Sequence, residues 1–207
     1  GGPMMGMTQY TLDVPVTISV LPNLLFSKSI ADEAHANNVE VILHLPLEAH
    51  DSQKKPEKRA IYTSMDKKEV LAKLSDAITA VPYIKGVSNH MGSKATEDEA
   101  LMRLLFVQLK KKNLYFLDSL VTPKTVCKKI ASQTGIKFAE RSVFLDNNND
   151  IEYIKGQLRL LLADAKSKKM AIGIGHDRRL TIEAIKEMIP EFNREGVKFV
   201  YLSEVVR

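Results

Sequence analysis

The feature that most constrains this chain is an alternation repeated along its length. Short runs rich in valine, isoleucine and phenylalanine are followed by longer amphipathic stretches. The strand-like runs are "VPVTISVLP" (14–22), "VEVILHLP" (39–46), "IKGVSNH" (84–90), "LYFLDS" (114–119), "SVFLDN" (142–147), "MAIGIGH" (170–176) and "VKFVYLSEV" (197–205). Between them lie helical patterns with recognisable ends. One opens near Ser64 and Glu69, another at a Thr96 cap ahead of an acidic first turn, and a third at Pro123 behind a threonine. Gly135 closes that third pattern. Six successive strand–helix units predict an α/β fold with a largely parallel sheet. Nothing marks a boundary, so residues 1–207 read as one domain. The longest stretch without periodicity, "EAHDSQKKPEKRAIYT" (48–63), reads as a loop over the mouth of a site.

Composition narrows the function classes. The chain has 207 residues, 44% of them hydrophobic and 27% charged, as expected of a globular protein with a sizeable core. No apolar run approaches the roughly 20 residues that span a bilayer, and no secretory leader pattern is visible. The net charge is +5, but most lysine clusters fall near the ends of helical patterns, where cations suit the helix dipole. Aromatic residues do not interleave with them, which argues against a nucleic-acid partner. The single cysteine, Cys127, excludes a disulfide framework and reads as a buried, inert thiol.

Polar residues collect at the carboxyl ends of the strand-like runs. His44 is followed by Glu48; Asn89 and His90 end the next run; Asp118 and Ser119 end the one after. Asp146, with Asn147, ends the fifth behind Arg141, and His176 ends the sixth. In parallel α/β folds the carboxyl ends of the strands open on one face, where sites are built. Each residue alone has a structural explanation as a turn or cap, and Asp146 fits a cap for the helix from about 150. Recurrence on five runs points to a shared site. Imidazoles and carboxylates are ligands for zinc and similar divalent ions, which generate a nucleophilic hydroxide and polarise carbonyl oxygens. There is no serine elbow, and Cys127 lacks an activating neighbour, so metal-assisted hydrolysis is the natural class.

"VEVILHLPLEAH", "GVSNHMGSKAT", "LYFLDSLVTPKTV", "RSVFLDN" and "AIGIGHDRRLTI", in this order, resemble the divergent polysaccharide deacetylase family. The resemblance implies a distorted, incompletely closed (β/α)7-type barrel. It also implies a metal-dependent hydrolase that removes acetyl groups from an N- or O-acetylated polysaccharide or cell-wall glycan. It places His44 at a metal position, with Glu48 where the wider superfamily has a second histidine. His90 is either a replacement ligand or a substrate contact, so His44, His90 and Glu48 form the expected metal set, with zinc the first candidate. His176 matches the general acid and Asp118 a supporting carboxylate. Asn89, Ser119, Arg141 and Asp146 are assigned to the substrate. The superfamily's first strand ends in paired aspartates, and this reading expects them upstream of Gly1. The resemblance further implies a secreted, periplasmic or cell-envelope location. The alternative is a non-catalytic carbohydrate-binding or envelope accessory protein that kept the barrel and lost the chemistry.

Overall fold

The structure is a computed structural model that describes residues 12–51 and 57–207. Part of the expected loop, residues 52–56, lies outside the described residues. The chain divides into two compact units, one built on Thr17–Glu140 with Leu202–Arg207, the other on Arg141–Tyr201.

The first unit carries five strands and four helices. In chain order these are β1 (Thr17–Val20), α1 (Ser27–Ala36), β2 (Glu40–Leu47), α2 (Lys67–Ala80), β3 (Gly86–Met91), α3 (Glu99–Lys111), β4 (Tyr115–Asp118), α4 (Cys127–Thr134) and β5 (Phe138–Glu140). The strands pair in the order β1-β2-β3-β4-β5, every pair parallel, in a sheet that does not close. The α/β fold with an unclosed parallel sheet is the expected one.

Register decides which side chains share a face, because neighbours along a strand alternate. His44 lies opposite Ser88, and Ser88 opposite Leu117. Leu45 lies opposite Asn89, and Val87 opposite Phe116. The face bearing Leu43, Leu45, Val87 and Phe116 is buried, and the Phe106 ring of α3 packs 4.8 Å from Phe116 on it. Helix α3 buries Leu101, Met102, Leu105, Phe106 and Leu109, an i, i+4 stripe that supplies most of its stability.

The other face bears polar groups at its amino end. Glu40 Oε1 accepts hydrogen bonds from Thr17 Oγ1 (2.9 Å), Tyr115 Oη (2.8 Å) and the Ser203 amide (3.1 Å). Tyr115 reaches Glu40 by crossing Gly86, where an added Cβ would stand 2.3 Å from the ring. Only glycine leaves that passage open.

Asp66 caps α2, forming a reciprocal capping box with Glu69. Two helix starts differ from expectation. Asp98, not Thr96, caps α3, because Thr96 lies fully buried in a 3₁₀ turn and donates its hydroxyl to the Gly92 carbonyl. Helix α4 begins at Cys127, beyond Pro123, and ends at Gly135 as expected. Cys127 is buried, and burial pushes its thiol well above the usual range.

The second unit pairs two short strands, β6 (Val143–Phe144) and β7 (Gly173–Ile174), in parallel, with helices α5 (Ile151–Lys168) and α6 (Arg179–Arg194). Leu145, Ile154, Leu158, Ala184, Met188 and Phe192 form its core. The strand expected over 197–205 does not form. Phe199 instead packs 5.0 Å from Phe192 of α6, and Leu202–Glu204 makes a 3₁₀ turn belonging to the first unit.

Candidate active site

In the second unit, β6 delivers Asp146 and β7 delivers His176. Asp146 is 1% exposed, whereas the His176 side chain is 53% exposed. Asp146 Oδ1 lies 3.0 Å from His176 Nδ1. Its Oδ2 accepts the His176 amide at 2.9 Å and the Thr181 hydroxyl at 2.8 Å. Burial pushes this carboxyl up, but the hydrogen bonds from Thr181 and from the His176 amide and ring outweigh it. They hold Asp146 below its ordinary value. The result is an ionised, buried carboxylate that accepts a hydrogen bond from Nδ1–H of a half-exposed imidazole. That arrangement fixes the tautomer and leaves Nε2 as the ring nitrogen able to exchange protons with its surroundings. The His176 ring stands edge-on to Phe144 at 5.5 Å, and the Arg141 guanidinium lies 5.4 Å from the same Phe144 ring.

These contacts correct the reading of Asp146 as a cap for the following helix, a task that Asp150 performs through the Tyr153 amide. Asp146 positions His176. Thr181, one turn into α6, was not anticipated as its partner.

In the first unit, β2 and β3 bring His44 and His90 together on one face, with ring centroids 4.9 Å apart in an edge-on arrangement. His44 Nδ1 lies 2.8 Å from Ser88 Oγ. The turn that follows is tight: Met91 and Gly92 adopt φ of 54° and 94°, and a Cβ on Gly92 would stand 2.9 Å from Leu47 Cβ.

Three further expected residues have structural work. Asn89 and Asp118 point to the opposite, helix-packed face and are 1% and 0% exposed. Asn89 Oδ1 accepts the Ser119 amide, its Nδ2 donates to the Met91 carbonyl, and Ser119 Oγ donates to the Asn89 carbonyl. These bonds tie the ends of β3 and β4. Asp118 accepts the Leu120 amide at 2.9 Å and the Thr125 hydroxyl at 2.7 Å, which shapes the turn into α4. Burial raises its carboxyl above the ordinary range. The side-chain oxygens of Asn89, Ser119 and Asp118 are thus engaged inside the protein.

The Glu48 carboxylate is engaged in the same way. Its Oε2 accepts the Thr63 amide and hydroxyl at 2.7 and 2.6 Å, and its Oε1 accepts Lys94 Nζ at 2.8 Å. The carboxylate therefore staples the chain returning at Ile61–Thr63 to the end of β2, where Ile61 bridges Leu47. His44 and His90 fit as two imidazole donors to a metal, but Glu48 does not fit as the third. Among the described residues no group of three His, Cys, Asp or Glu side chains is gathered to hold an ion.

The chain matches the profile described as divergent polysaccharide deacetylase over residues 5–206. It belongs to that family. The divergent polysaccharide deacetylase signature thus runs through both units. The chain is 33% identical over 174 residues to the uncharacterized protein YibQ of Escherichia coli (strain K12), covering 84% of this chain and 54% of that protein. It is 30% identical over 171 residues to an uncharacterized protein of Haemophilus influenzae, covering 83% and 61%. The chain thus spans little more than half the length of these relatives. Among solved structures, the uncharacterized protein ATU2773 from Agrobacterium tumefaciens C58 superposes with a TM-score of 0.91 at 21% identity. That match covers 99% of this chain and 84% of that one, and it shows a shared fold. No described helix is long and apolar enough to cross a membrane.

Proposed function

We propose that this polypeptide is a hydrolase that removes acetyl groups from an N- or O-acetylated polysaccharide or cell-wall glycan. The observation that carries the reading is the His176–Asp146 pair, a half-exposed imidazole fixed by a buried, ionised carboxylate. Such a pair transfers protons without needing to reorient. Asp146 holds Nδ1–H, so His176 delivers its proton from Nε2 to the nitrogen or oxygen that leaves as acetate forms. Phe144 flanks the imidazole and Arg141 flanks Phe144; Arg141 remains assigned to the substrate in this reading.

His44 and His90 are assigned as two imidazole donors of a divalent ion, zinc the first candidate. When bound, such an ion supplies Lewis-acid polarisation of the acetyl carbonyl and an activated water. That residues 1–207 form one deacetylase domain, and that the protein works in the periplasm, cell envelope or outside the cell, belong to the same proposal. The family profile supports the first and the glycan substrate class the second.

The test is acetate release from a panel of N- and O-acetylated oligosaccharides, with zinc or with chelator. Release that chelation abolishes and zinc restores is expected; no release from any member removes the hydrolase reading. The commitment of Glu48 to Thr63 and Lys94 favours a second reading, a carbohydrate-binding accessory protein without turnover. Glycan binding that survives the His44→Ala, His176→Ala double change, with no acetate release by the parent, selects it.

A further inference from the structure

One buried polar side chain on the His44 face has no task in the proposed function. Ser88 is 1% exposed, yet it places a hydroxyl in a parallel strand, where buried positions are ordinarily apolar. Its Oγ lies 2.8 Å from His44 Nδ1 and 2.6 Å from Ser19 Oγ. Ser19 is an exposed residue of β1. The ladder accounts for the line. Ser88 pairs directly with His44, and Ser19 pairs with Ile42, two residues before His44 on the same face. Side chains from three adjacent strands form a single file across β2.

Each bond in that file holds one proton, so its members turn together. If Ser88 donates to Ser19, its oxygen accepts Nδ1–H from His44, and the imidazole lone pair sits on Nε2. If Ser19 donates to Ser88, Ser88 donates to Nδ1, and Nε2 carries the proton. The file therefore sets the tautomer of His44. We propose that Ser88 and Ser19 are positioning residues that hold His44 as the Nδ1–H tautomer with its lone pair on Nε2. This rests on the reading of His44 as a working imidazole, because a histidine that ligates through Nε2 donates its other ring N–H to a neighbour. Ser19 suits the outer place: it accepts from Ser88 and passes its own proton to solvent.

The test is the ¹⁵N spectrum of the His44 ring in chelator-treated protein above neutral pH, assigned by the loss of its signals in His44→Gln. The expected result is a protonated Nδ1 and an unprotonated Nε2, in a ratio of about ten to one, the preference a buried hydrogen bond supports. Ser19→Val, a change at an exposed strand position, removes the acceptor of the Ser88 proton. Its hydroxyl then turns to Nδ1, and the signals shift toward Nε2–H. Ser88→Ala brings the two nitrogens toward a mixture, and Ser88→Thr restores the wild-type pattern. A wild-type ring in the Nε2–H form, or shifts unmoved by Ser19→Val, overturns the relay. The readout needs no substrate. An Nδ1–H ring in a protein that releases no acetate upholds the relay while removing the hydrolase reading.

Discussion

Asp146 and Asp118 are both buried carboxylates at strand ends, yet their surroundings drive them in opposite directions. Asp146 lies below its ordinary 3.8 because hydrogen bonds from Thr181 and His176 outweigh its burial. Its ionised contacts add stability above 3.8, and that stability is lost as pH falls through the lower folded value. Asp118 lies above its ordinary 3.8 because burial outweighs the bonds from Thr125 and Leu120. The folded state there holds its proton more tightly than the unfolded chain, so its contribution declines as pH rises from 3.8 through the higher folded value. Thermal melting of Asp146→Asn and Asp118→Asn across acid pH should therefore diverge. The wild type's advantage over Asp146→Asn shrinks in acid, and its advantage over Asp118→Asn grows. Asp118→Ala, which removes the acceptor of the bonds from the Leu120 amide and the Thr125 hydroxyl, is expected to cost about 1–3 kcal/mol in denaturant unfolding. At this scale the sequence showed which residues stand at strand ends but not which way they face. Asn89 and His90 are adjacent, so one joins the helix-packed face and the other the histidine face. Reading the alternation from His90 back to Ser88 would have found the relay serine. Nothing local marks Thr181 as a partner of Asp146, because the two meet only when β6 and α6 pack.

The elements were legible where local chemistry acts alone. Periodicity located all six described helices, but the caps read at Thr96 and at the threonine before Pro123 went to the wrong residues. Thr96 is drawn into a buried hydrogen bond with Gly92, leaving Asp98 to cap α3. Asp66→Ala removes the side-chain half of the α2 capping box, the bond from the Glu69 amide, and should lower stability by about 1 kcal/mol, read from the urea midpoint. The strand β5 went unread because three residues, Phe138–Glu140, are too few for a pattern. At Val197 and Phe199 the apolar alternation is satisfied by packing on the core of the second unit rather than by a ladder. Gly86→Ala tests the Tyr115 crossing. The added methyl would stand 2.3 Å from the ring, and the displaced tyrosine should cost about 1–3 kcal/mol. Tyr115→Phe, which keeps the ring and drops only the bond to Glu40, should cost less.

At the scale of the whole molecule, the strand–helix alternation led correctly to a parallel α/β fold, and the family profile covers nearly the full chain. The structure provides a His176–Asp146 pair in one unit and a His44–Ser88–His90 group in the other. The central claim is that His176, held by Asp146, is the proton donor in deacetylation. Its most direct test is acetate release from acetylated glycan oligomers by the zinc-supplemented wild type and by His176→Ala, measured side by side. The expected result is turnover by the wild type and a loss of about 10²- to 10⁴-fold in the variant. Equal release by the two proteins, or none by the wild type, would contradict it.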